Sequence, residues 1–240
     1  MIAALQGSFA LSADEWEALR LSLAVSLWAT AAVSVPGVVL GWLLARRDFP
    51  GKLLLDALVH LPLVLTPVVV GYLLLLVFGS SGALGPLLDA LGLDVAFTFT
   101  GAVLAAAVVA LPLVVRSVRT AVELVDSGLE DAAAVLGAGP LRRVLTVTLP
   151  LAAPGVAAGL VLGFARSLGE FGATITLAGS IAGETRTLPI AIYQRSQVPG
   201  GDGSALRMTL ASIALSLVAL AASELVLRRL RAKADGEASR

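Results

Sequence analysis

From Leu21 to Ala45 the chain runs for 25 residues without a charged side chain. At 1.5 Å per residue, a helix of that length reaches about 37 Å, more than the ~30 Å of bilayer hydrocarbon. Backbone polar groups inside hydrocarbon must be bonded within their own segment, so such a run folds as a helix. Further apolar runs lie at about 53–78, 95–115, 154–178 and 205–227. Hydrophobic residues fill 58% of the 240 positions and charged residues 14%, a balance that suits a bundle of spanning helices and not a water-soluble domain. The fold class is therefore an all-α integral membrane protein.

Along the chain, residues 1–17 read as an extracytoplasmic or interfacial segment, 18–228 as the membrane domain and 229–240 as a cytoplasmic tail, disordered at its end. Ser12 and Glu15 have the spacing of a capping box that opens the first span, and Trp16 suits a membrane interface. Pro36 is expected to bend that span. In the second span Pro62 and Pro67 each remove a backbone donor, so it must be kinked or locally open. Asp56 and His60, four residues apart near its start, suit a local hydrogen bond.

The fourth span is expected as one helix from about Pro154 to Ala178. Gly155, Gly159, Gly163 and Ser167 recur along it every four residues, a ridge on which another helix, of this or another chain, can pack closely. Arg166 and Glu170 are also four apart and can face each other. Ionisable groups within a span point to function. The pair is either a charge beside a translocation path or an internal ion pair, and slow release from a deep charge favours the second. In the fifth span Ser212 and Ser216 share a helix face.

Basic residues orient the bundle. With five spans, Arg46, Arg47, Lys52, Arg116, Arg119, Arg142, Arg143, Arg228, Arg229, Arg231, Lys233 and Arg240 fall on one side. Only Arg20, Arg186, Arg195 and Arg207 fall on the other, twelve against four. The positive-inside rule then places the N-terminus outside and the C-terminus in the cytoplasm. The chain has no cysteine and one histidine, which excludes thiol chemistry and disfavours a protein zinc site. It carries no phosphate-binding loop, no His-Glu-x-x-His and no Gly-x-Ser-x-Gly, so neither an ATPase nor a membrane protease is indicated. A zero net charge gives no sign of nucleic acid, and no cofactor is expected.

Between the third and fourth spans, residues 123–150 form a polar interruption on the cytoplasmic side. Ala132 to Leu136 favours a short helix, Gly137 can end it in a left-handed turn, and Pro140 can open a second helix. The order Asp131-Ala132-Ala133, then Gly137, Val147 and Leu149-Pro150, resembles the EAA loop of ATP-binding-cassette importer permeases. Two positions depart from it, Asp131 for Glu and Val147 for Ile, and Glu130 sits one place early.

Longer stretches carry a narrower resemblance: LPLVLTPVVVGYLLLLVFG at 61–79, TGAVLAAAVVALPLVVRSVR at 100–119, FARSLGEFGATIT at 164–176 and GETRTLPIAIY at 183–193. These are similar to the molybdate importer permeases of bacteria, with sulfate, thiosulfate and tungstate permeases as related alternatives. The resemblance implies a type I importer permease fold of five or six transmembrane helices in the cytoplasmic membrane. It also implies a homodimer, two cytoplasmic ATPase subunits and an external molybdate-binding protein. Glu184, Arg186 and Arg195 in the outer segment are either contacts for that protein or simply solvated charges. In that setting Glu130, Asp131, Ala132, Ala133, Gly137, Pro140, Leu149 and Pro150 are the expected coupling elements. An ion-driven carrier is the competing class, but neither repeated halves nor coupling carboxylates stand out.

Overall fold

The computed structural model describes residues 10–238, which are helical or irregular with no strand among them. Residues 1–9 of the N-terminal segment lie outside that range, as do residues 239–240 at the tail's end. So do the side chains of Arg229, Arg231, Lys233 and Arg240. The chain opens with α1 (Ala13–Arg46), and the capping box forms as expected: the Ser12 N–H donates to Glu15 at 2.9 Å and the Glu15 N–H to the Ser12 hydroxyl at 3.4 Å. Pro36 lies inside α1 without interrupting it. Next come α2 (Lys52–Val64), α3 (Pro67–Phe78), the short α4 (Gly85–Ala90) and α5 (Phe99–Glu123). After a polar elbow holding α6 (Ser127–Val135) and α7 (Pro140–Arg143), the chain continues through α8 (Leu149–Leu168), α9 (Gly172–Ala178) and α10 (Leu188–Ser196). The last helix, α11 (Asp202–Ala238), runs on through most of the expected tail.

Four helical runs among the described residues are long and apolar enough to cross a membrane; the α2–α3 pair makes five if it counts as one broken span. Taken alone, α2 and α3 reach only about 20 Å each. Their axes differ by 119°. Pro67 causes the break: a residue before proline avoids the helical region, and both Leu65 and Thr66 are extended. Pro62, by contrast, is absorbed within α2.

The expected single fourth span is corrected here. Its helix stops at Leu168 and resumes at Gly172, with Gly169, Glu170 and Phe171 between. The Glu170 carboxylate favours the interruption by accepting the Ala173 N–H at 2.8 Å, which caps the first turn of α9. The α2–α3 break and the α8–α9 break meet, where a Cβ on Gly172 would lie 3.0 Å from Pro67 Cβ.

At the centre, α5 buries Val114, Val115, Val118 and Val122 completely. On one flank Gly37 and Gly41 of α1 admit Val114 and Val118, since added Cβ atoms would approach them to 2.6 and 2.7 Å. On the other flank lies the glycine ridge of α8. Gly159 faces Ser117, Gly163 faces Val114 and Gly155 faces Ala121, while the Ser117 hydroxyl donates to the Gly155 carbonyl at 3.0 Å. Ser167 completes the row by donating to the Ala106 carbonyl at 3.5 Å. The ridge therefore serves packing within this chain. Backbones this close gain dispersion contacts, which in lipid take over the role that water exclusion has in soluble cores.

Candidate functional site

The elbow between α5 and α8 builds itself from local rules. Asp126 takes the N-cap, its carboxylate accepting the Gly128 N–H at 2.8 Å, so α6 begins at Ser127 rather than at the expected Ala132. At the other end Gly137 has φ +84°, and the Ala138 and Gly137 N–H groups donate to the carbonyls of Ala133 and Ala134, each at 2.9 Å. This paired closure needs a left-handed residue, which glycine supplies without Cβ strain. Pro140 then opens α7 in the first helical turn, where its missing N–H costs nothing.

The rest of the expected loop is already part of the next span. From Pro140 to Leu168 the chain is one 29-residue helical run, interrupted only by a wide π turn at Val144–Thr148. In that turn the Leu149 N–H reaches back five residues to the Val144 carbonyl. Pro150, with no N–H and a bulky ring, is poorly tolerated in a regular α-turn, and the wider turn just before it relieves the conflict. Leu149 and Pro150 thus lie in the first turn of α8 and not at a loop end.

The two adjacent carboxylates part company. Glu130 turns towards the bundle, 3.1 Å from the Arg46 guanidinium on the last turn of α1, and accepts the buried Thr148 hydroxyl at 2.9 Å. Asp131, which stands in register with the EAA pattern, is exposed. Ala132 is exposed and Ala133 half-buried. At the C-terminal end of α6, Val135 and Leu136 are each 88% exposed, and Leu124 and Leu141 extend the apolar surface.

Other charges group at the two ends of the bundle. On the elbow's side Arg119 of α5 reaches Asp56 of α2 at 3.2 Å, and Asp56 also lies 3.1 Å from His60. Lys52, 2.9 Å from Asp48, holds that carboxyl below its ordinary range by hydrogen bond and charge. At the far end Glu15 receives Arg207 at 2.7 Å and the Ser204 hydroxyl at 2.5 Å, tying the start of α1 to the start of α11. Arg195 lies 3.7 Å from Asp14, and Arg186 donates to Ser180 at 3.2 Å. Arg166 and Glu170 meet at 2.6 Å with Glu170 buried, in the α8–α9 break and apart from the elbow.

Sequence reasoning missed three features. Arg46 and Thr148 as partners of Glu130 carry no local signal, since they are 84 and 18 residues away. Glu15 looks like a cap and nothing more. Gly37 and Gly41, however, have small-residue spacing that could have been read.

Residues 37–232 match the family described as the binding-protein-dependent transport system inner membrane component. The chain is 53% identical over 225 residues to the molybdenum transport system permease protein ModB of Escherichia coli (strain K12), covering 93% of this chain and 98% of that protein. It is 52% identical over 219 residues to ModB of Haemophilus influenzae, covering 90% and 93%. Among solved structures it is similar to a bacterial alginate ABC transporter in complex with alginate pentasaccharide-bound periplasmic protein, with TM-score 0.74 at 19% identity over 95% of this chain and 82% of that one. The MetNI methionine ABC transporter in an inward-facing conformation gives TM-score 0.67 at 18% identity, over 90% and 94%. The fold is that of the type I importer permeases, and the chain, a multi-pass membrane protein and transport subunit, belongs to the family of binding-protein-dependent transport system inner membrane components.

Proposed function

We propose that this chain is the permease subunit of an ATP-driven molybdate importer in the bacterial cytoplasmic membrane. The observation that carries the substrate is the likeness to molybdenum permeases, 53% identical along almost their whole length. Two copies form the path, two ATPases sit on the cytoplasmic side, and an external binding protein delivers the oxyanion. The N-terminus lies outside, while the elbow and the C-terminus lie in the cytoplasm. The twelve-to-four split of basic residues supports this orientation, and so does the gathering of Arg46, Arg47, Lys52 and Arg119 at the elbow's end.

Coupling is a switch between two packings. The exposed face of α6, with Val135 and Leu136, seats in a groove of the ATPase. When ATP draws the two ATPases together, the elbows follow, and the helical run from Pro140 carries the displacement into the span. The path then opens outward and accepts the dianion, and hydrolysis returns it inward. Arg166 and Glu170 hold the interrupted fourth span together, and Pro67 sets the matching interruption in the second.

The test is ATP hydrolysis by the complete complex in proteoliposomes. Molybdate-loaded binding protein should stimulate hydrolysis and drive uptake, and a large excess of sulfate should compete poorly. Stimulation by sulfate alone would overturn the substrate assignment.

A further inference from the structure

The hold of α6 on the rest of the molecule is unusual for an element that is to transmit force. None of its residues is buried, so no apolar core anchors it. Its attachment is polar and converges on one carboxylate oxygen. Glu130 Oε1 lies 3.1 Å from Arg46 Nη2 and accepts the Thr148 hydroxyl at 2.9 Å. The same Arg46 nitrogen donates at 2.6 Å to the carbonyl of Val125, the residue that leads into α6. Arg46 is the last residue of α1, and Thr148 closes the π turn ahead of α8. One side chain therefore joins the elbow to the ends of the two helices that clasp α5.

We infer that Glu130 is a positioning residue: the strut through which the elbow moves α1 and α8 together, not a contact made on the ATPase. This rests on the reading that the elbow docks an ATPase, and it goes further by naming a second route for the displacement. The covalent route reaches α8 through Gly137 and Pro140, and α5 through Leu124 to Asp126. The polar route adds α1, which has no covalent link to the elbow short of α2 through α5. Burial favours the inference. The side chains of Arg46 and Glu130 are only 18% and 19% exposed, so little of either is left for a partner protein, whereas neighbouring Asp131 is exposed and available to one. A shielded pair of this kind is costly to break from one side, because the remaining charge stays partly desolvated. The π turn gives the strut something to act on, since a wide turn can tighten or shift register more readily than a regular helix.

The experiment uses the whole complex with its ATPase and binding protein. Glu130→Arg and Arg46→Glu are made singly and together. Each single variant should still co-purify the ATPase and hydrolyse ATP, but lose roughly tenfold in molybdate uptake per ATP, while the double swap recovers most of it. A second readout avoids transport altogether. The chain has no cysteine, so spin labels can be placed through Ser127→Cys in α6 and Asp48→Cys after α1. The distance between them should be the same in the nucleotide-free and ATP-trapped states, and should differ between those states once Glu130→Gln is added. The strut is refuted if Glu130→Arg releases the ATPase and the double swap does not restore it, or if the label distance already changes in the otherwise unaltered chain. If the unaltered complex shows no ATP-dependent uptake, the parent reading fails instead, and the strut with it.

Discussion

A glycine with nothing around it shapes the elbow. A Cβ on Gly137 would meet no atom within 4 Å, so only its φ of +84° restricts the position. Substitution there tests backbone strain free of any clash. Gly137→Asn should keep most transport, because asparagine tolerates the left-handed region, whereas Gly137→Val should lose it while the protein still inserts. Comparing uptake in membranes with equal amounts of the two variants decides this, and equal uptake would separate the turn from coupling. Glu170 presents the opposite case, a buried carboxylate with two jobs. Glu170→Gln keeps an acceptor for the Ala173 N–H but strands Arg166, and should cost about 1–3 kcal/mol. Glu170→Leu loses both and should cost more, read by thermal unfolding in detergent. That Arg166 and Glu170 can pair was legible from their spacing. That Glu170 also starts a new helix was not, because a cap is recognised only once the helix is known to have stopped.

At the scale of helices, glycine spacing marked a close-packing surface on α8 but could not say what covers it. The partner is α5, and its identity came from Ser117, Val114 and Ala121 facing Gly159, Gly163 and Gly155. Gly159→Val should therefore destabilise the bundle by about 1–3 kcal/mol or more, since an added Cβ would lie 2.9 Å from Ser117 Cβ and 3.3 Å from the Val114 carbonyl oxygen. Gly169→Ala, where a Cβ meets nothing within 4 Å, provides the control. Both are measured as loss of folded protein with temperature. Interrupted spans were half legible. Two prolines announced a break in the second span, and the structure assigns it to Pro67. The fourth span has no proline between Pro154 and Ala178 to announce one. Its break carries the Glu170 cap and lies where Gly172 meets Pro67, a contact between helices about a hundred residues apart.

For the molecule as a whole, two predictions follow the topology. Cysteines introduced one at a time are unambiguous in a chain that has none. Leu136→Cys should react with an impermeant reagent only from the cytoplasmic side, and Arg195→Cys only from outside; the reverse pattern would invert the orientation proposed above. Val135→Asp with Leu136→Asp should leave insertion intact and abolish ATPase co-purification, because charge would replace the apolar face proposed above to seat in the ATPase. From the sequence alone came the membrane class, the capping of α1, the Gly137 turn and the Pro140 start. These depend on hydropathy and backbone rules that act within a few residues. Only the tertiary structure decided that the ridge faces α5, that two spans break where they touch, and that Glu130 rather than Asp131 faces the bundle. Neighbouring carboxylates on a helix are chemically alike. They differ in direction by about 100°, and what lies in each direction is set by chain far away in sequence.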